Sequence, residues 1–437
     1  MDLGRATSVS LGSQIARLLS TLLSGVIIAR TLGPSGKGTY SLFVLTYAFV
    51  VLISNFGVPV YVASTVGKRR YSPEALLGNS LLLVASASVL VAGVTLGLKT
   101  WFKEGVSLAP FLVLLAVVVP IGLLREHLAG LLQGLNRIGR LAVVHTVGHV
   151  VTLSLLALFL LRQLDLWTAL YCWMAGEAVS VVVALSLALS LARPEISISP
   201  AVLKESLRFG AAVCVASLIG MASLRFDVYL VAYFLDSSAV GLYTVAATVS
   251  SLIMYLPSAM AVALLPRFAS SEPDEAYRLV STACRVALLW GGACGVLLFV
   301  AGGIAIRIVY GDLFSGSAIA MRILLPGAVV YGLAHITTAY FNAFIGRPAI
   351  NTALAALSLG IGILLDIVLI PTLGISGAAL ASSVAYLASI SVALLVFAKV
   401  SGRSAVPLLS VGRQDVIEVR SFVSRNVRAL FRLNETI

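Results

Sequence analysis

Twelve uninterrupted apolar runs constrain this chain more than any other feature. Each is roughly as long as the ~20 residues a helix needs to cross the hydrocarbon core of a bilayer. The runs lie near 11–29, 41–65, 76–98, 107–133, 141–161, 168–191, 209–234, 240–264, 286–308, 319–343, 350–370 and 375–398. Polar punctuation separates them, such as Lys68-Arg69-Arg70-Tyr71-Ser72-Pro73-Glu74 and Ser270-Ser271-Glu272-Pro273-Asp274-Glu275. Only 11% of residues are charged and 59% are hydrophobic, whereas a soluble domain carries about 25% charged residues. So few charges build no water-facing surface, and the apolar residues face lipid. A helix satisfies its own backbone groups there, while a membrane barrel would show alternating segments of ~10 residues. The expectation is an all-α membrane protein with about 12 transmembrane helices, the first run being a span and not a cleaved leader.

The net charge of +12 would suggest nucleic acid in a soluble protein. Its distribution says otherwise. With the N-terminus inside, inner segments hold twenty of the thirty Lys and Arg residues, outer segments six and spans four. Lys and Arg collect on the cytoplasmic side, so both termini are expected in the cytoplasm of a multi-pass cell-membrane protein. Cys172, Cys214, Cys284 and Cys294 all lie inside apolar runs. Their spacing fits neither a zinc knuckle nor a redox pair, and they read as packing residues. No loop is long enough to house a soluble catalytic domain, which argues against a membrane-embedded glycosyltransferase or polymerase. The chain reads as no enzyme and as needing no cofactor.

The chain also repeats itself. Ala29, Leu32, Gly38 and Tyr40 match Ala232, Leu235, Gly241 and Tyr243 at a constant shift of 203. Gly139-Arg140 and Gly346-Arg347 correspond at 207. Two six-helix lobes are expected, 1–192 and 209–398, with a cytoplasmic connector at 193–208 and a basic tail at 399–437. Six is even, so the repeat is parallel, about a pseudo-twofold axis along the membrane normal. Proteins of this build commonly hold substrate between their halves and rock to alternate access.

Several motifs, in order along the chain, carry a resemblance. Ile27-Ile28-Ala29-Arg30-Thr31-Leu32-Gly33-Pro34 and Gly38-Thr39-Tyr40-Ser41 come first. Ser206-Leu207-Arg208-Phe209-Gly210, Arg225-Phe226-Asp227 and Val240-Gly241-Leu242-Tyr243 follow. Asn342-Ala343-Phe344-Ile345-Gly346-Arg347 and the run Ile370–Ala379 complete the set. Over residues 1–398 the chain resembles the polysaccharide (O-antigen type) flippases of the multidrug/oligosaccharidyl-lipid/polysaccharide exporter superfamily. The resemblance implies a two-lobed helical bundle with a central cavity. It implies a cargo of polyprenyl-phosphate- or diphosphate-linked oligosaccharide, moved from the inner to the outer leaflet. The partners implied are that lipid-linked oligosaccharide, the bilayer, and a glycan polymerase or glycosyltransferases, with no nucleic acid. The competing reading is an ion-coupled exporter of drugs or small metabolites on the same fold.

A flippase needs positive charge for the phosphate linkage, and the planar fork of arginine suits phosphate oxygens. Ionisable groups inside spans are costly and are functional candidates by default. Arg17 in helix 1 is the leading substrate-binding candidate; the resemblance places a substrate-contacting arginine in this region. Arg225 and Asp227 in helix 7 are two apart and project differently, so they form no same-face pair. Arg322 in helix 10 joins the substrate-binding set, although it and Asp366 in helix 11 also suit a mutual ion pair. Arg125-Glu126-His127 reads as the wall of a cytoplasmic vestibule. Glu177 looks the loneliest acid and, with Glu126 and Asp366, is a candidate for ion or proton coupling. His145 and His149 share a helix face but lack a third ligand, and no metal is expected. Gly33-Pro34-Ser35-Gly36-Lys37-Gly38-Thr39 glances at a P-loop, yet Thr31 stands where the first glycine belongs. From Val411 the tail spaces Val416, Val419, Val423, Val427 and Leu430 helically, with Arg420, Arg425, Arg428 and Arg432 elsewhere. That pattern suits an amphipathic helix on the anionic inner surface.

Overall fold

The computed structural model describes residues 3–68, 70–101, 109–162, 164–191, 199–410 and 412. The amphipathic helix expected in the tail from Val411 lies outside the described residues. Among those residues the secondary structure is helical throughout, with no strand. The chain divides into two compact units, Met1–Leu218 and Ile219–Ile437.

The first unit contains α1 (Leu3–Asn55), α2 (Val58–Gly67), α3 (Pro73–Trp101), α4 (Ala109–Gly134), α5 (Ile138–Leu160) and α6 (Leu166–Leu189). α7 (Pro200–Phe234) begins in the first unit and ends in the second. The second unit continues with α8 (Ser237–Ser251), α9 (Tyr255–Ser270), α10 (Pro273–Tyr310), α11 (Ser317–Ala343), α12 (Ala349–Leu373), α13 (Ile375–Ser401) and the single turn α14 (Val406–Leu409). Among the described residues eleven stretches are long and apolar enough to cross a membrane. The first of them, Gly12–Asn55, holds two arms, because α1 bends at Gly33. Counted by arms the crossings number twelve, as the apolar runs predict.

The bend corrects one expectation. The sequence reading puts a loop between the first two spans, around 30–40. The structure has no loop there. Gly33 alone leaves helical geometry, at φ 67° and ψ −174°. Pro34 then opens the second arm, where its missing N–H and fixed φ cost nothing. Gly374, at φ 59° and ψ −140°, makes the same kind of corner between α12 and α13. Both corners share a pattern, Leu32-Gly33-Pro34-Ser35-Gly36 and Leu373-Gly374-Ile375-Ser376-Gly377. Only glycine enters positive φ at no steric cost, so the sequence carried this turn signal twice.

Lipid supplies no hydrophobic force between helices, so close backbone approach of small residues does the packing. Along α6, Cys172, Gly176, Ser180, Ala184 and Ala188 recur every fourth residue, all buried. A side chain at Gly148 of α5 would stand 2.8 Å from the carbonyl oxygen of Gly176. In the second unit a Cβ on Gly327 of α11 would meet the Cα of Ser383 of α13 at 2.6 Å. Ser383 Oγ also donates to the Ile323 carbonyl at 2.6 Å. Acids cap two helices at membrane-edge turns: Asp165 accepts from the Thr168 amide at 2.9 Å, and Asp236 from the Ala239 amide at 2.7 Å. All four cysteines are free, and three are buried.

Candidate functional site

The first unit gathers its ionisable groups around Glu177 of α6. Glu177 Oε2 accepts a hydrogen bond from the Tyr47 hydroxyl at 2.9 Å. The same oxygen lies 3.2 Å from Arg125 Nε of α4, and Arg125 Nη2 lies 2.9 Å from Glu126 Oε1. Arg125 and Glu177 are 14% and 11% exposed, so each charge depends on the other for solvation. Tyr47 stands on the second arm of α1 and reaches the cluster over Gly122, where a Cβ would overlap its hydroxyl. Trp173 holds the Tyr47 ring edge-on, with centroids 4.7 Å apart. The Gly148–Gly176 approach brings α5 against α6 one residue before Glu177. His145 and His149 on α5 come within electrostatic reach of Glu177, Arg125 and Arg17.

Two readings from the sequence change here. Glu177 is not lonely; Tyr47 and Arg125 both partner it. Its partners arrive from α1 and α4, which linear sequence does not bring together. Arg125-Glu126-His127 does not act as one polar wall either. Arg125 turns toward Glu177, while His127 is 3% exposed with Nδ1 lacking a hydrogen-bond partner. His149 Nδ1 lies 3.1 Å from the His145 carbonyl, a contact within the helix. Among the described residues no three His, Cys, Asp or Glu side chains are grouped to hold a metal ion.

Arg17 is half-buried on the first arm of α1, with no ion pair among the described residues. Lys37, which the sequence reading assigned to an outer segment, is half-buried on the second arm. Its ammonium sits 5.8 Å from the Tyr40 ring centroid and lies over Gly25 of the first arm. That placement follows from the Gly33 corner and had no local signal.

The second unit arranges its acids differently. Asp227 of α7 accepts hydrogen bonds from the Tyr243 hydroxyl of α8 and, at 3.1 Å, from Ser382 Oγ of α13. Its other oxygen accepts from the Val228 amide at 2.8 Å. Arg225, half-buried on the same helix, makes no hydrogen bond or ion pair among the described residues, although its charge acts on Asp227. Asp366 of α12 is 2% exposed, and its Oδ1 has no hydrogen-bond partner. It borders a cavity of about 20 Å³ shared with Asp227, Ser358 and Ser382.

The Arg322–Asp366 ion pair expected from sequence does not form. Arg322 Nε donates to the Phe299 carbonyl at 3.0 Å, and its guanidinium lies 5.7 Å from the Phe299 ring centroid. Arg322 therefore turns toward α10, while Asp366 turns toward α7 and α13. Depth along a span is legible in sequence, but rotation about the helix axis is not.

Sequence reasoning missed Tyr47, Gly122, Tyr243, Ser358 and Ser382. One signal was available for Tyr243. The repeat aligns it with Tyr40, and each tyrosine stands beside the buried acid of its own unit: Tyr40 within electrostatic reach of Glu177, Tyr243 bonded to Asp227.

The family model described as Polysaccharide biosynthesis protein matches residues 3–272. Proteins of similar sequence include the probable low-salt glycan biosynthesis flippase Agl15 of Haloferax volcanii. It is 22% identical over 396 residues, covering 88% of this chain and 81% of that protein. Stage V sporulation protein B of Bacillus subtilis is 25% identical, covering 84% and 78%. The putative O-antigen transporter of Escherichia coli is 20% identical, covering 74% and 79%. Solved structures of similar fold include the lipid II flippase MurJ in an inward closed conformation. Its TM-score is 0.78 at 13% identity, over 94% of this chain and 90% of that one. An inward-facing multidrug resistance MATE family transporter of the MOP superfamily scores 0.74 at 17% identity, over 90% and 98%. These likenesses bear out the all-α membrane fold expected from sequence.

Proposed function

We propose that this chain, which belongs to the polysaccharide biosynthesis protein family, is a flippase for oligosaccharide linked to a polyprenyl phosphate or diphosphate. It moves this cargo from the inner to the outer leaflet by alternating access. One observation carries the reading beyond the family. Among the described residues each unit leaves an arginine without a hydrogen bond or ion pair within a membrane helix, Arg17 in the first and Arg225 in the second. The acids within the helices have other partners: Glu177 and Glu126 contact Arg125, and Asp227 accepts from Tyr243 and Ser382. What is left over for a guest is a set of guanidinium N–H donors, which suit phosphate oxygens. Arg322 lies against Phe299 and completes the basic set.

Charge bias orients the chain with both termini in the cytoplasm. Arg17 then lies in the inner third of the first span, where an inner-leaflet phosphate enters. Of the coupling candidates, Asp366 has spare capacity, since one buried carboxylate oxygen lacks a partner. A proton or a small cation held by Asp366 with Asp227, Ser358 and Ser382 would bias the second unit between states. Glu177 and Glu126 serve the Arg125 network instead. The delivered glycan is then available to a polymerase or glycosyltransferase on the outer face.

The test is a proteoliposome assay with polyprenyl-diphosphate oligosaccharide in the membrane, read by cleavage with an external glycosidase. We expect protein-dependent flipping that Arg17→Ala reduces at least tenfold while the variant stays folded. Unimpaired flipping by well-folded Arg17→Ala removes that residue from the path. Absence of flipping for several such lipids, with gradient-driven release of small cations, would favour the exporter of drugs or metabolites.

A further inference from the structure

The second unit contains a cavity of about 240 Å³ whose wall is unlike a packed membrane core. Arg225 of α7, Tyr255 and Ser258 of α9, Tyr331 and His335 of α11, and Tyr386 of α13 all border it. The Tyr331 and Tyr386 rings lie 4.5 Å apart at 42°, and His335 stands edge-on to Tyr331 at 6.1 Å. Together they form an aromatic wall. Tyr255 is 51% exposed although it belongs to a membrane-crossing stretch. Among the described residues, Arg225, Tyr255 and His335 have no hydrogen-bond partner for their side chains. Unused donors inside a span are costly, and this group converges on one space.

Charge decides what fits. Asp227 also borders the cavity, but Tyr243, Ser382 and the Val228 amide occupy its oxygens. Those donors are neutral and the Arg225 charge already acts on Asp227, so what Arg225 offers a guest is its unused N–H donors. A cation would find aromatic faces but would meet the guanidinium at close quarters. A purely apolar guest would strand the hydroxyls, the imidazole and the guanidinium without partners. A guest with an apolar ring face, several hydroxyls and one anionic group satisfies all of them. Binding pockets commonly combine an apolar wall with a few such fixed polar groups.

We propose that this cavity binds one anionic pyranose of the cargo. The C–H face of the sugar lies on the Tyr331–Tyr386 wall. Its hydroxyls meet His335, Tyr255 and Ser258, and its anionic substituent meets Arg225. The substituent is either the phosphate joining the first sugar to the lipid or the carboxylate of an acidic sugar in the glycan. This subsite deepens the flippase reading and rests on it.

The test uses the full chain in lipid nanodiscs and saturation-transfer NMR with glucose 1-phosphate, glucuronate, glucose and the lipophilic cation tetraphenylphosphonium. We expect an anionic hexose to bind at least tenfold more tightly than glucose. Arg225→Gln abolishes that preference and spares the weak glucose signal, whereas Tyr331→Ala weakens both. A lead for glucose 1-phosphate places the phosphate here, and a lead for glucuronate places an acidic sugar. Equal binding of charged and neutral hexose overturns the proposal, as does a preference for the cation or indifference to Arg225→Gln. If Arg225→Gln does not fold, His335→Ala decides: loss of the anionic hexose supports the subsite, and retention overturns it. A protein that binds the anionic hexose yet flips no glycan lipid keeps the subsite and loses the flippase reading. One that flips but binds no anionic hexose loses the subsite alone.

Discussion

The two units handle buried acids in opposite ways. In the first, Glu177 is matched by an arginine and a tyrosine, so a full charge meets a full charge. In the second, Asp227 is matched by hydroxyls and an amide, and Asp366 keeps an oxygen without a hydrogen-bond partner. In a low-dielectric interior a satisfied network rigidifies, and a partly satisfied one retains capacity for a proton, an ion or a ligand. We propose that the Glu177 cluster, where Arg125 Nε meets Glu177 as an ion pair without a hydrogen bond, holds α1, α4 and α6 together. The Asp366 cavity is, in the proposed function, the place where a change of occupancy alters the balance of forces. Glu177, the more conspicuous acid in the linear sequence, is on this proposal the structural one.

The sharpest test of this contrast is Glu177→Leu. It removes the more buried of the two carboxylates on Arg125, and because Glu126 still partners the guanidinium the cost is about 3 kcal/mol, the low end for a broken buried pair. The thermal midpoint of detergent-solubilised protein should fall steeply, and Glu177→Leu combined with Arg125→Met should recover most of the loss. A single variant that melts with the wild type would mean the cluster does not sustain itself. Gly122→Ala comes next, because its Cβ overlaps the Tyr47 hydroxyl and drives it off Glu177. The expected cost is about 1–3 kcal/mol. Adding Tyr47→Phe should make little further difference if Tyr47 is the group displaced. The smallest effect on stability belongs to Asp366→Asn, at less than about 1 kcal/mol, because no hydrogen bond to Oδ1 is lost. Its effect should appear in flipping, which loses its dependence on an ion gradient. A melting shift as large as that of Glu177→Leu would erase the distinction between the two acids.

Much of the fold was readable because bilayer thickness and backbone hydrogen bonding leave few alternatives to a long apolar helix. The runs gave the crossings, and Leu-Gly-x-Ser-Gly marked both tight corners, at Gly33 and Gly374. The site was legible only as a set of suspects. Arg17, Arg225, Asp227 and Asp366 stood out because charge in a span is rare. Whether each was free or taken was hidden, since Tyr47 and Glu177 are 130 residues apart and Ser382 and Asp227 are 155 apart. Arg322 and Asp366 had suitable depth for each other, yet their helices turn them toward different neighbours.

By itself, then, the sequence determined that the chain lives in a membrane, crosses it about twelve times and carries a handful of costly charges inside. Those are properties of composition and of periods along one strand of chain, and solvent alone enforces them. Only the tertiary structure decided which charges cancel and which remain, because pairing depends on helix rotation and on glycine-wide approaches between distant segments. A few tens of degrees about the helix axis separate an arginine that holds an acid from one that awaits a guest.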